Sequence, residues 1–186
     1  MKTEAIPFES LEKEMEKINE AKKNPESFEY LYETYYECIF RFIYKRIDDE
    51  NLVEDMTSQV FFNAMTKLNK YTFKGVPFSA WLYKIALNEL NMYFRKKSSI
   101  RIIDIDAINT PVLFEDVNET NNEENIEKLM IAMLNLRKPD ADILELRYFE
   151  QLSFKEIAEI YSITENNAKV KVYRAIETLK HEFQLK

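Results

Sequence analysis

The chain has 186 residues, 46% of them hydrophobic and 32% charged, which is an ordinary globular composition sized for one medium domain or two small ones. Its single glycine, Gly75, excludes the glycine-rich loops that cradle phosphates, and one cysteine plus one histidine are too few for a structural zinc site. We therefore expect no enzyme, no cofactor and no metal, and the net charge of −7 taken alone argues against a nucleic-acid binder.

The negative charge, however, is concentrated in one short stretch. Residues 101–125 contain seven acidic residues and one basic residue, whereas residues 1–100 and 126–186 are each close to neutral. Basic clusters in the two flanking regions can therefore act locally on an acidic partner.

The N-terminus carries no sign of secretion. Residues 1–10 include two glutamates and lack the apolar core of a signal peptide. No apolar run in the chain reaches the roughly 20 residues that a membrane helix needs. We expect a cytoplasmic protein without a membrane span.

Helical periodicity dominates the first hundred residues. A short and rather exposed helix is predicted from about Phe8 to Lys22. Asn24 followed by Pro25 is typical of a helix start, and the apolar residues recur every three or four positions from there to Arg46. A long helix with one apolar stripe is therefore predicted in this region.

Two more helices follow in this half of the chain. Asp48 or Asp49 is expected to cap the first of them, and Pro77 opens the second. The loop between them, residues 69–77, contains the lone Gly75. The second helix is predicted to end at a basic run, Arg95-Lys96-Lys97.

Residues 98–125 interrupt the periodicity and are interpreted as an acidic linker. The turn signal at residues 109–111 and the polar stretch at residues 118–125 support this. Val112, Leu113 and Phe114 are nevertheless too apolar for a random coil, so part of the linker should dock on this protein or on a partner. The predicted fold is all-α, with an N-terminal extension (1–24), a helical domain (25–97), the linker (98–125) and a second helical domain (126–186).

The end of the chain predicts a helix-turn-helix. Ser153-Phe154-Lys155-Glu156 is a capping box, and a second cap begins at Thr164. The short turn between the two helices places Ser162 where many such motifs use glycine, because the position favours a positive φ. The second helix carries the residues expected to contact duplex DNA: Asn167, Lys169, Lys171, Tyr173 and Arg174. A helical hairpin with ordinary surface lysines is the alternative.

Aromatic and basic residues alternate between Lys70 and Lys97, as in proteins that hold unpaired bases. A flipped base needs both a stacking partner and hydrogen bonds, which Asn88 could supply. Aromatic residues at helical spacing are more often core residues, and this applies to Trp81 in particular. The candidate DNA contacts in this region are Phe73, Lys74, Trp81, Tyr83, Asn88, Arg95, Lys96 and Lys97.

Three runs together resemble the extracytoplasmic-function (ECF) sigma factors of bacterial RNA polymerase. They are residues 53–61 (VEDMTSQVF), 78–88 (FSAWLYKIALN) and 152–160 (LSFKEIAEI), in the order and at the spacing of that family. The resemblance covers about residues 25–97 and 125–183. It implies a non-enzymatic subunit that binds core RNA polymerase and directs it to promoters.

The resemblance assigns two tasks to the first domain. One face of its second long helix would dock on the core polymerase through Glu54, Asp55, Ser58, Gln59 and Phe62. Gln59 stands where the family commonly has glutamate, so a salt bridge would be replaced by a neutral hydrogen bond. The loop at residues 72–78 would capture a flipped non-template base of the minus-ten element, with Phe73, Tyr83 and Asn88 lining the pocket. The basic run that follows would contact phosphates.

In the second domain, the resemblance places minus-thirty-five recognition on Lys169 and Arg174. Arginine is frequent at position 169 in the family, and its planar guanidinium can donate two parallel hydrogen bonds to one base. Lysine at this position cannot, so some base discrimination would be lost. The acidic linker would thread toward the RNA path and imitate nucleic acid, or it would serve only as a solubilising tether; both readings stay open. An anti-sigma factor is a further partner that the family suggests, although no residue identifies one.

Two rival functions remain at this stage. A stand-alone helix-turn-helix regulator would need a ligand pocket or dimer face in residues 1–100 and would bind a palindrome without polymerase. A helical module that only sequesters a polymerase subunit would have no use for the loop aromatics or for a cationic recognition helix.

Overall fold

The computed structural model describes residues 8–97, 111–117 and 123–184, except for the side chains of residues 8–10, 97, 111 and 123. The described residues are helical with no strand, which confirms the predicted all-α class. The α-helices are α1 (Phe8–Lys23), α2 (Glu29–Tyr44), α3 (Glu50–Lys67), α4 (Phe78–Lys97), α5 (Pro111–Val117), α6 (Glu123–Asn135), α7 (Lys138–Leu144), α8 (Phe154–Tyr161) and α9 (Glu165–Gln184). None of these helices is long and apolar enough to cross a membrane.

The chain divides into two compact units, residues 1–102 and residues 103–186. The expectations about a secretion signal in residues 1–7, and most of those about the linker in residues 98–110 and 118–122, lie outside the described residues.

The predicted helix starts of the first unit are confirmed at atomic detail. The Asn24 side chain accepts a hydrogen bond from the Glu26 N–H at 3.2 Å, at the start of a 3-10 turn that leads into α2. Of the two candidate caps for α3, Asp49 takes the role by accepting from the Leu52 N–H at 3.2 Å. Both side chains satisfy backbone donors that have no partner within the helix.

Helices α2, α3 and α4 pack against one another around a core in which Leu31, Phe42, Val60, Phe78 and Leu82 are almost completely buried. Much of α1 is exposed, as expected, but its inner face is part of this core. Ile18 and Ala21 are buried there, as is the carboxylate of Glu14. The apolar positions of α1 are sparse, and its polar Glu14 lies on the buried face, which is why periodicity underestimated the packing.

In the second unit, α6 and α7 pack on the long α9. The apolar residues Ile143, Leu144 and Leu146 predict one helix from about Asp140 to Phe149. In the structure α7 ends at Leu144 and a π-helical turn, Glu145–Phe149, follows. The Glu150 N–H closes that wider turn on the Glu145 carbonyl at 3.0 Å.

Part of the predicted linker belongs to this second unit. Helix α5 packs on α9, and its Leu113 and Phe114 are almost completely buried, whereas Val112 on the opposite face is 54% exposed. The Tyr148 hydroxyl donates to the Asp116 carboxylate at 2.5 Å, and burial together with this bond raises the pKa of Tyr148. Leu113 and Phe114 of the predicted linker thus dock on this protein itself.

Candidate functional site

Both helices of the helix-turn-helix begin at side-chain caps formed between residues close in sequence. Ser153 and Glu156 form the predicted capping box: the Ser153 side chain accepts from the Glu156 N–H at 3.2 Å, and the Glu156 carboxylate accepts from the Ser153 N–H at 2.8 Å. At the second helix, Thr164 Oγ1 accepts from the Asn167 N–H at 3.2 Å. These bonds fix where α8 and α9 begin.

The turn between the two helices has the left-handed residue that was expected. Ser162 has φ 56° and ψ 45°. Its N–H donates to the Glu159 carbonyl at 3.2 Å, and the Ile163 N–H donates to the Ala158 carbonyl at 2.9 Å. This is the Schellman pattern that ends a helix and reverses the chain, and here serine adopts it without glycine.

Helix α9 has one buried face and one exposed face. Ala168, Val172, Ala175, Ile176 and Leu179 are buried. Asn167, Lys171, Tyr173 and Arg174 are exposed, with Tyr173 57% exposed. The exposed face therefore presents an amide, a phenol and two cations, groups that can contact base edges and phosphates.

Lys169, the fifth predicted residue of this helix, is half-buried and already has partners. Its ammonium lies 3.3 Å from the Glu165 carboxylate and 5.7 Å from the centre of the Phe154 ring. The Arg147 guanidinium lies over the same ring at 4.7 Å, and the Tyr173 ring is 6.3 Å away. Phe154, which sequence reasoning treated only as part of a cap, is the centre of this cation–aromatic cluster.

In the first unit, the five residues predicted to dock on polymerase share the exposed face of α3. Glu54, Asp55, Ser58, Gln59 and Phe62 are all exposed, and Phe62 is 56% exposed although it is a large aromatic residue. Val53, Met56, Val60 and Phe61 occupy the buried face of the same helix. A bulky apolar side chain kept in solvent on the same helix face as two carboxylates is typical of an interaction surface.

An aromatic ladder on α2 lies beside this face, and sequence reasoning missed it. Tyr32, Tyr36, Phe40 and Tyr44 follow one another at four-residue spacing, with ring centres 5.1, 5.9 and 5.9 Å apart. The Tyr32 and Tyr36 ring centres lie 4.8 and 6.2 Å from that of Phe61 in α3, so the ladder packs beside that helix. Burial, with Tyr32 and the carboxylate of Glu54 nearby, raises the pKa of Tyr36.

Sequence periodicity places Tyr32 and Tyr36 in the apolar stripe of the helix and leaves Phe40 and Tyr44 outside it. The regular four-residue spacing of four aromatic residues, parallel to a second stripe at Leu31, Tyr35 and Ile39, was the available signal. Tyr32 is 38% exposed and Tyr44 is 51% exposed.

The loop before α4 leads into a cluster of aromatic rings. Trp81 is half-buried, with ring centres 5.1 Å from Tyr71 and 5.4 Å from Phe78, so it packs on the core and still reaches the surface. Phe73 is half-buried in the loop, and Lys74 is exposed. The loop turns at Gly75, whose φ of 71° is the conformation glycine allows most readily.

Along α4, Asn88, Arg95 and Lys96 are exposed, as their predicted contacts with DNA require. The side chain of Lys97 lies outside the described part of the chain. Tyr83 requires a correction: it is only 3% exposed, and its ring packs edge-on against Phe42 at 4.9 Å. Its position on the inner face of α4 makes it a core residue, so it does not line an open pocket here.

The residues that the structure describes contain no group of three or more side chains able to hold a metal ion. The candidate site consists of three surfaces: the α3 face with its aromatic ladder, the loop with the outer residues of α4, and the outer face of α9.

Comparison with known proteins identifies the class to which these surfaces belong. The family described as Sigma-70 region 2 matches residues 31–100, and Sigma-70, region 4 matches residues 126–179, together about two thirds of the chain. The chain belongs to the sigma-70 family of RNA polymerase sigma factors, and its relatives place it in the ECF group.

Two relatives illustrate the similarity. The ECF RNA polymerase sigma factor BldN of Streptomyces coelicolor is 29% identical over 160 residues, covering 83% of this chain and 59% of BldN, so the chain spans less than two thirds of that relative's length. The ECF RNA polymerase sigma factor SigM of Bacillus subtilis is 28% identical over 153 residues, covering 81% of this chain and 91% of SigM.

Among solved structures, CnrH in complex with the cytosolic domain of CnrY superposes with a TM-score of 0.61 at 16% identity. The superposition covers 93% of this chain and 98% of the solved one. At that identity the likeness concerns the fold alone.

Proposed function

We propose that this protein binds bacterial core RNA polymerase and directs it to promoters by reading a minus-thirty-five element with α9 and a minus-ten element with the loop before α4. The observation that carries the proposal is that each matched region exposes its own binding groups. The region-2 match has the acidic and aromatic α3 face, and the region-4 match has the cationic outer face of α9.

For the minus-thirty-five element, we propose that α9 enters the major groove with Asn167, Lys171, Tyr173 and Arg174 facing the bases and phosphates. Lys169 joins them from its position beside Glu165 and Phe154. A lysine there contacts phosphate or a single base acceptor, without the planar fork of arginine.

For the minus-ten element, Phe73, Lys74 and Asn88 are the proposed contacts with a flipped non-template base. Trp81 closes the aromatic cluster behind them, and Arg95, Lys96 and Lys97 contact phosphates. Stacking and hydrogen bonds at such a site offset the few kcal/mol that unstacking one base step costs.

For the polymerase, the α3 face of Glu54, Asp55, Ser58, Gln59 and Phe62 is the proposed docking surface. In this reading the protein makes and breaks no covalent bond, acts in the cytoplasm, and needs no cofactor. Two modest DNA sites and one polymerase site act together on one chain, because tethering raises the effective concentration of each. An anti-sigma factor is a further proposed partner.

In-vitro transcription tests this proposal directly. The purified protein and bacterial core polymerase are incubated with a library of random promoters, with core polymerase alone as the control. New sequence-specific start sites are the expected result, and they define both promoter elements. No new start sites, together with a footprint of the protein alone on duplex DNA, would favour a stand-alone regulator instead.

Two matched pairs of variants separate the surfaces. Arg174→Ala should lower transcription from the selected promoters about tenfold, because a base-reading arginine contributes about 1–3 kcal/mol, while His181→Ala two turns further along α9 should not. Phe62→Ala should weaken binding to core polymerase, whereas Lys67→Ala, exposed at the end of α3, should leave it unchanged.

A further inference from the structure

The ends of the loop between α3 and α4 are held by a helix distant in sequence. At its first end, the Lys22 ammonium of α1 donates to the Tyr71 carbonyl at 2.8 Å across 49 positions of sequence. The same ammonium lies 5.8 Å from the centre of the Tyr71 ring, and Tyr71 is 7% exposed. Lys22 therefore fixes both the backbone and the ring of the residue where the loop begins.

At the second end, the Glu14 carboxylate of α1 accepts from the Phe78 N–H at 3.0 Å, across 64 positions of sequence. Phe78 is the first residue of α4, so its N–H has no partner within the helix, and a carboxylate is favoured beside the positive end of the helix dipole. The Tyr35 hydroxyl donates to the other oxygen of Glu14, which is itself only 6% exposed. A side chain of α1 thus caps α4.

Between these two ends the exposed part of the loop is short. Val76 is buried, so the continuous stretch that reaches solvent is residues 72–75, which include Phe73 and Lys74, while Pro77 beyond it is half-buried. A short segment held at one end by a buried bond and at the other by a partly buried bond has few conformations, which lowers the entropy lost when it binds.

We propose that α1 positions the loop for capture of the minus-ten base, with Lys22 and Glu14 as positioning residues that do not touch DNA. This inference rests on the proposed function of the loop. Lys22 and Glu14 precede the region-2 match, which begins at residue 31. The inference gives these two residues a specific contribution to promoter opening.

The test measures binding of the holoenzyme to a single-stranded oligonucleotide. Its sequence is the non-template minus-ten strand of a promoter selected from the random library, and a series with one abasic position each locates the captured base. Lys22→Met should weaken binding to the intact strand about fivefold to tenfold, since the partly buried Tyr71 carbonyl loses this charged donor. It should not change binding to the strand that is abasic at the captured position.

Lys23→Met, on the exposed neighbouring residue of α1, is the matched control and should bind both strands like the wild type. Lys22→Arg keeps a donor and should restore most of the affinity. Glu14→Gln keeps an acceptor for the Phe78 N–H and should be mild, whereas Glu14→Leu should behave like Lys22→Met.

A spectroscopic readout comes from the chain's single tryptophan. Trp81 packs on Tyr71 at one end of the loop and on Phe78 at the other. A displaced loop should change the accessibility of Trp81 to acrylamide in Lys22→Met and leave it unchanged in Lys23→Met.

The outcomes separate this inference from the function on which it rests. If Phe73→Ala and Asn88→Ala weaken binding to the intact strand but Lys22→Met does not, the role of α1 is refuted and base capture by the loop stands. If the wild type binds the intact and the abasic strand alike, or if neither Phe73→Ala nor Asn88→Ala weakens binding to the intact strand, base capture itself fails. If Lys22→Met weakens binding to both strands equally and lowers the unfolding midpoint, α1 has only a structural role and the inference is overturned.

Discussion

The two units of the chain place their binding groups by different means. In the helix-turn-helix of the second unit, the geometry is set by bonds between residues three to five positions apart, such as Ser153 with Glu156 and Ala158 with Ile163. In the first unit, the loop before α4 is held by bonds that span 49 and 64 positions.

This difference affects how each unit folds and how well it tolerates substitutions. Local caps form with little loss of chain entropy, so each is a separate, modest contribution, whereas a long-range bond depends on the whole unit being folded. We therefore expect changes in the second unit's caps to have small and additive effects. Changes at the long-range contacts of either unit should have effects that depend on the surrounding packing.

The largest expected effect concerns α5, the long-range element of the second unit. Phe114→Ala should lower the free energy of unfolding by about 3–5 kcal/mol, because the ring is 1% exposed and its removal leaves a cavity. Val112→Ala in the same helix is the control and should change it by less than about 0.5 kcal/mol. Urea unfolding followed by circular dichroism makes the measurement. Equal stability of the two variants would show that this segment is only a tether.

The next largest effect concerns the caps of the helix-turn-helix. Ser153→Ala and Thr164→Ala should each cost about 1 kcal/mol of stability, and the double variant about the sum, because each removes one acceptor for a helix N-terminus. Asn166→Ala, at an exposed neighbouring position, is the control for a change outside the caps. Strong non-additivity in thermal unfolding would contradict the view that these caps act independently.

A smaller change, and an increase in stability instead of a loss, is expected at the turn between α8 and α9. Ser162→Gly should stabilise the protein by up to about 1 kcal/mol, since a non-glycine residue at positive φ carries a steric cost. Ser162→Ala keeps a Cβ and serves as the comparison. A loss of stability in the glycine variant would mean that the serine side chain contributes more than its backbone conformation costs.

The smallest expected effect is a pH dependence of the stability that Glu14 contributes. Burial raises the pKa of the Glu14 carboxyl above its ordinary value of 4.5, while its bonds from Tyr35 and Phe78 act in the opposite direction. The folded state therefore holds this proton more tightly than the unfolded state. The stability that Glu14 contributes is fully present below its unfolded pKa and decreases as pH rises through the raised value.

Urea unfolding of the wild type and of Glu14→Gln at about pH 5 and about pH 7.5 checks the direction of this pH dependence. Trp81 fluorescence is the signal. The wild type should lose stability relative to the variant at the higher pH. Glu12→Gln removes an exposed carboxyl of the same helix and is the matched control. A wild type that gains stability relative to Glu14→Gln as pH rises would contradict the expected direction.

The sequence was most informative where interactions are local. The caps at Asn24, Ser153 and Thr164 and the left-handed turn residue Ser162 were all predicted, because each depends on residue types within a few positions. The exposed face of α3 could also be placed, since a helix with one apolar stripe leaves the other side to solvent.

Periodicity was less reliable for aromatic residues, because a ring suits a core and a binding surface equally well. Tyr83 was placed in a base-binding pocket and is buried against Phe42, whereas Tyr32 was placed in the apolar stripe of its helix and is 38% exposed. Only the packing of α2, α3 and α4 decides which rings point inward.

What the sequence by itself determined is the all-α class, the two-part organisation, the helix-turn-helix and the resemblance to the ECF sigma factors, all of which follow from short motifs in order. What only the tertiary structure decided is the docking of α5 on α9 and the support that α1 provides to the loop. Both depend on contacts between segments far apart in the chain. Such contacts follow from the packing of whole helices, and no local pattern of residues records them.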